Sequence, residues 1–182
     1  MKNYTAIDLF AGCGGLSLGL ENAGFESVYV NELNDDALES YLVNRDNKNP
    51  YLRERFNSND VKNMISNKKY ISSLIGDLKK TYNLDVNSGD LTLLAGGPPC
   101  QGYSGIGHRR TYSVDKEQIP SNFLYQDMAY FIHKVQPKIF LFENVEGLIR
   151  SRWTKSGIKG EIFTDVLDTF RNLKGYEIKS KL

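Results

Sequence analysis

Cysteine is scarce in this chain: Cys13 and Cys100 are the only two in 182 residues. Two thiols build no disulfide framework, and their spacing is not that of a zinc site, so no metal is expected. Long hydrophobic runs are missing as well. No stretch approaches the ~18 apolar residues that read as a membrane span. The opening "MKNYTAIDLF" reads as a strand after a single lysine, not as a secretory leader. Both thiols are therefore expected reduced, in a cytoplasmic protein. An excess of one charge is also lacking, since 23 Lys and Arg against 22 Asp and Glu leave +1. Any contact with nucleic acid must rest on a local basic surface or on another segment. No repeat, low-complexity tract or linker interrupts the chain. Its 40% hydrophobic and 25% charged residues are ordinary for a globular domain, or for one lobe of a larger protein.

What is present is an alternation of strands and helices. "YTAIDLF" is a short apolar run ending in glycines, followed by a helix with Leu16, Leu20 and Ala23 at helical spacing and Gly24 as its stop. "SVYVNEL" is a β-branched and aromatic strand, and Asn34 caps the amphipathic helix after it. This rhythm predicts a parallel α/β sheet with helices on both faces. Between Asn47 and Ser88 the pattern weakens to one helix, "KKYISSLIGDLKKTY", and a short strand near Phe56 to Val61. It sharpens again in the strand "DLTLLAGG", a helix capped by Ser121, the apolar strand "PKIFLFENV", a helix ending at Gly175, and a last strand "YEIKSKL".

In such sheets, ligands gather beyond the carboxyl ends of the strands. After the first strand comes "FAGCGGL", a turn whose glycines admit close approach and whose helix offers free N–H groups. After the second comes Glu32, eighteen residues beyond Gly14, where an acid typically grips a ribose diol. A plain strand-to-helix turn without ligand is the alternative there. After the fourth comes "GGPPCQGYSG", where Pro98 and Pro99 deliver Cys100 on a stiff arm. By that loop alone, Cys100 is equally a nucleophile or a small buried apolar residue. After the fifth comes "ENV": Glu143 closes an apolar run, where desolvation would fit it for proton donation, or stands as a solvated strand end beside a capping Asn144. A thiol and a carboxyl on two strand ends favour the nucleophile-and-acid reading.

"DLFAGCGG", "NEL", "GGPPCQGYS" and "ENV", in this order, resemble the cytosine-C5 DNA methyltransferases, from the N-terminus to Leu182. The resemblance implies a Rossmann-like fold that binds S-adenosylmethionine and releases S-adenosylhomocysteine. It places Phe10, Ala11, Gly12, Gly14, Gly15 and Leu16 in the cofactor pocket, with Glu32 on the ribose. Leu33 would stand where a bulky aromatic often meets the adenine. Asp60 and Val61 would contact the adenine, and Gly97, Pro98 and Leu124 would complete the pocket. Cys13 would serve as packing. Cys100 would add to C6 of a flipped cytosine, with Glu143 on N3 and with Pro99 and Asn144 shaping the site. C5 would then take the methyl group. Gln101, Ser104, His108, Arg109 and Arg110 would face double-stranded DNA.

The family's Gln-x-Arg-x-Arg segment, target-recognition domain and C-terminal cofactor-covering helix are not found in these residues. The resemblance therefore implies one catalytic lobe over residues 1–182, incomplete at its C-terminus. Its natural setting would be a modification or restriction-modification system, with a complementing chain as a further partner. The isolated chain is expected to methylate DNA poorly. The alternatives are a non-catalytic remnant that binds cofactor or partner, and a tRNA methyltransferase, from which Gly102 and Tyr103 depart. A nicotinamide enzyme explains neither Pro-Pro-Cys nor Glu-Asn-Val.

Overall fold

The computed structural model describes residues 4–99 and 115–181. Five strands form one sheet, β1 (Tyr4–Leu9), β2 (Phe25–Asn31), β3 (Asn57–Ser58), β4 (Leu93–Gly96) and β5 (Ile139–Phe142). Their spatial order is β3-β2-β1-β4-β5, and every pairing is parallel. Helices α1 (Gly15–Asn22), α2 (Asp35–Val43), α3 (Tyr51–Glu54), α4 (Val61–Ser66), α5 (Tyr70–Tyr82), α6 (Leu124–Val135) and α7 (Glu161–Arg171) link or follow them. The chain runs outward from β1 to β3 and then returns to the other side of β1 as β4. This reversal between β1 and β4 is the switch point at which doubly wound sheets bind ligands.

The described residues fall into two compact units. One holds those up to Gly97 together with Tyr130–Phe142; the other holds Pro98–Ala129 and the residues from Glu143 onward. In the first unit, β4 and all of β1 but Tyr4 are buried, in keeping with sequences that are apolar except for Thr5 and Asp8 of β1. Ala6, Leu93 and Ala95 pack against Leu16 and Leu20 of α1 and against Phe25. Tyr29 stacks on Phe131 of α6 with ring centroids 6.4 Å apart. Its hydroxyl reaches Ser58 Oγ at 2.7 Å and the Tyr70 hydroxyl at 3.0 Å. A register shift between Ala6 and Ile7 pairs Ala6 with Ser27 and Ile7 with Tyr29. Ser27 and Tyr29 are two residues apart, yet the shift turns them to opposite faces of the sheet.

In the second unit, Ile162, Val166 and Phe170 form the buried stripe of α7. Short 3-10 turns at Lys116–Gln118, Pro120–Phe123 and Glu146–Arg150 build the rest around buried Leu148.

The Rossmann-like parallel sheet is as the sequence predicts, and three details differ. Ser121 caps nothing: it lies inside a 3-10 turn that Pro120 opens, since proline's fixed φ suits a first helical position. Residues 176–181 join no strand of the sheet. The apolar run at β5 is half exposed, with Ile139 at 59% and Leu141 at 41%, because β5 is an edge. Leu94 is fully buried in β4, whereas Leu33 is 70% exposed. Leu94→Ala should cost about 2–4 kcal/mol in urea unfolding, and Leu33→Ala under about 0.5 kcal/mol.

Candidate functional site

The turn after β1 is held from several sides. Phe10 takes a left-handed φ of 59°, Ala11 N donates to Asn31 O at 3.0 Å, and Gly14 N closes back on Ala11 O at 3.0 Å. Glu32, directly after β2, spans two elements. One carboxylate oxygen accepts from Gly12 N at 2.8 Å and the other from Asn34 N at 2.9 Å. Asn34 in turn caps α2 through Ala37 N at 2.9 Å, as expected from the sequence. Each Glu32 oxygen keeps a lone pair that a ribose hydroxyl could use. A Cβ added at Gly12 or Gly15 would meet nothing within 4 Å, so there is open space over the turn. Leu16 is half-buried on α1, and exposed Leu33 offers an apolar surface beside Glu32. After β3, Asp60 caps α4 by accepting from Lys62 N at 2.9 Å, and Val61 is buried. A carboxylate, an apolar side chain and a glycine turn at neighbouring strand ends suit an adenosine-bearing cofactor.

Beneath this turn lies a polar network that the motif reading missed. Asp8 sits in β1 at 1% exposure, and its Oδ2 accepts from Ser17 Oγ at 2.6 Å. Ser17 also meets the Tyr41 hydroxyl at 2.8 Å. Asp8 Oδ1 has no hydrogen-bond partner among the described residues. Burial pushes the Asp8 carboxyl up from 3.8 to about 6, against the lowering effects of Ser17 and Arg45. Burial likewise raises the Tyr41 phenol. Arg45 lies over the Tyr41 ring, 3.8 Å from its centroid, and pairs with Glu21 at 2.6 Å. It also donates to Gly14 O at 3.2 Å, which fixes the turn from below. The available signal was a charged residue inside the otherwise apolar run of β1.

In the second unit, Pro98 is buried and Pro99 exposed. Asn144 Nδ2 donates to Pro98 O at 3.1 Å, while Asn144 Oδ1 accepts from Val145 N at 2.9 Å. Leu124 is half-buried at the start of α6. Glu143 is exposed, which fits the solvated strand-end alternative and not the desolvated one. Cys13 is exposed too, not packed, because the glycine turn around it faces open space. Cys100, Gln101, Ser104, His108, Arg109 and Arg110 lie outside the described residues.

The parallel sheet with its flanking helices is consistent with the Rossmann-like fold of S-adenosylmethionine-dependent methyltransferases. More narrowly, residues 4–182 match the family of C-5 cytosine-specific DNA methylases, and the chain belongs to it. It is similar to the type II methyltransferase M.PspPI of Psychrobacter sp. (strain TA137), with 33% identity over 147 residues, 81% of this chain and 28% of that protein. The type II methyltransferase M.DdeI of Desulfomicrobium norvegicum is 33% identical over 164 residues, 88% of this chain and 33% of that one. A crystal structure from E. coli, described as a prophage-encoded DNA modification methyltransferase, superposes with a TM-score of 0.57 at 26% identity. That match covers 92% of this chain and 38% of the other. The chain thus spans about a third of the length of these curated relatives.

Two outcomes follow from the network and the turn. The folded Asp8 carboxyl keeps its proton to about pH 6, whereas an unfolded one releases it near 3.8. The folded state therefore binds more protons between these values, and stability falls as pH rises through them. Asp8→Asn should match the parent near pH 4 and exceed it by on the order of 2 kcal/mol at pH 7.5, in urea unfolding at both pH values. At Gly14, φ is 91° and an added Cβ would lie 2.6 Å from Tyr41 Cδ2 and 2.8 Å from Arg45 Nη1. Gly14→Ala should cost about 3 kcal/mol or more, and Gly12→Ala, strained only by its φ, about 1 kcal/mol.

Proposed function

We propose that this chain is the cofactor-binding and catalytic lobe of a DNA cytosine-C5 methyltransferase, acting on double-stranded DNA in a modification or restriction-modification setting. The observation that carries the reading is the parallel pairing of β4 with β5. Gly96 lies opposite Phe142, so Gly97–Pro99 and Glu143–Asn144 follow neighbouring strands. The hydrogen bond from Asn144 to Pro98 O joins the two segments just past those ends. This supports a nucleophile and an acid issuing side by side.

In this reading Glu32 accepts from the ribose hydroxyls of S-adenosylmethionine. Phe10, Leu33, Val61 and Leu124 supply apolar contacts, Asp60 faces the adenine, and Ala11, Gly12, Gly14, Gly15, Leu16, Gly97 and Pro98 complete the pocket. When bound, the cofactor supplies an electrophilic methyl group. The Cys100 thiolate adds to C6 of an extruded cytosine, while Glu143 hydrogen-bonds or protonates N3, which makes C5 enamine-like. Loss of the C5 proton from the methylated adduct then restores the double bond and expels the thiolate. Exposed Glu143 is reachable by an incoming base. Pro99 stiffens the nucleophile's arm and Asn144 anchors it. Gln101, Ser104, His108, Arg109 and Arg110 hold the DNA. Sequence recognition and full turnover need the parts that the relatives carry outside the matched third, on the same polypeptide or on a complementing one.

Calorimetry with S-adenosylmethionine should give saturable binding to these 182 residues, weakened about tenfold or more by Glu32→Ala. Duplex DNA carrying 5-fluorocytosine blocks the final elimination, so an active Cys100 stays bonded to the methylated base. Intact mass should show that adduct when a fragment carrying the arginine segment and recognition domain is added. Cys100→Ser should abolish it. Binding without any adduct in the presence of the complement would overturn the catalytic reading.

A further inference from the structure

The second unit contains a cleft that takes no part in the chemistry proposed above. Its volume is about 390 Å³, at the small end of the range of ligand pockets. Part of its lining is aromatic: Phe123 and Trp153 stack with centroids 4.8 Å apart and planes 5° from parallel, and buried Tyr125 belongs to the same lining. Part is acidic, carrying Glu117, Asp165 and Asp168, and no Lys, Arg or His lines the cleft among the described residues. In a chain with 23 basic and 22 acidic residues, this local excess of acid is not a reflection of composition.

Trp153 is held in place. Its indole N–H donates to Asp165 Oδ2 at 2.6 Å, its backbone N–H to Glu161 Oε1 at 2.6 Å, and its carbonyl accepts from Lys116 N at 2.8 Å. Both stacked rings remain only partly buried. Three carboxylates repel phosphodiesters, so the cleft is unsuited to DNA. Nor do its acids form a group able to hold a metal ion among the described residues. A group that suits both aromatic faces and carboxylates is a cation with a flat face.

We propose that this cleft docks an arginine side chain presented by a partner polypeptide. A guanidinium stacks on aromatic faces and offers paired N–H groups to carboxylates; an ammonium matches only the charge. Arg171 meets Asp168 at 3.4 Å, but that pair is exposed on both sides and holds the carboxylate weakly. An incoming guanidinium can displace it.

Trp153 is the chain's sole tryptophan, so its fluorescence reports on this cleft alone. The full chain would be titrated with a capped Gly-Arg-Gly peptide, with its citrulline counterpart and with Gly-Lys-Gly. Expected are a saturable change with the arginine peptide and binding about tenfold weaker or worse for the other two, with the arginine affinity falling as salt rises. Glu117→Gln with Asp168→Asn should weaken arginine binding about tenfold or more while leaving the unfolding midpoint and S-adenosylmethionine binding unchanged. Both positions are exposed, so the fold does not depend on them. Absence of saturation, equal binding of citrulline, or an unaffected double variant would overturn the proposal. Equal binding of lysine would overturn its stacking component. A catalytic failure elsewhere leaves this measurement untouched, because it uses neither DNA nor Cys100.

Discussion

Parallel pairing of β1 with both β2 and β4 is the constraint on which the rest depends. A parallel neighbour is reached only by a crossover, so every strand of this sheet points the same way and all the carboxyl ends share one edge. Within the first unit, the glycine turn, Glu32, Asp60 and Gly97 each follow one of those ends. None of them is adjacent to the next in sequence. Sheet polarity groups them, and the reversal between β1 and β4 opens the crevice in which a ligand can lie.

Stability and function meet at the turn after β1. Glu32 accepts backbone N–H groups from both the turn and the cap of α2, so the carboxylate proposed for the ribose is also a structural tie. Below it, Asp8 is kept in an apolar strand with one oxygen unpartnered, at an energetic cost near neutral pH. Residues held at a cost are often held for a task, and Asp8 fixes Ser17 at the helix that begins beside the turn.

The legible parts of the fold were those with strong periodicity or a cap. The β1–α1–β2–α2 run, Asn34 as a helix cap and the positive-φ glycines after α1 and α7 all followed from residue type. Strand β3 is two residues long and carries no alternation, so only its neighbourhood was readable, and α3 and α4 were lost in a polar stretch. Exposure at β5 was invisible because an apolar run looks the same at the centre and the edge of a sheet. The motifs located the strand-end residues, yet motif spacing says nothing about Asp8, Ser17, Tyr41 and Arg45. Their partnership exists only once β1, α1 and α2 are packed. The aromatic and acidic cleft was hidden for the same reason, being assembled from two 3-10 turns, the start of α6, a loop and α7.

The two edges of the sheet are not equivalent. At one side β3 offers only two residues of open backbone. At the other, β5 is the last strand of the sheet among the described residues, with Ile139 and Leu141 exposed. Open, apolar, uncharged edges are where sheets from separate molecules join. Leu141, exposed on β5, is thus a position at which a lysine would oppose edge-to-edge pairing of these 182 residues.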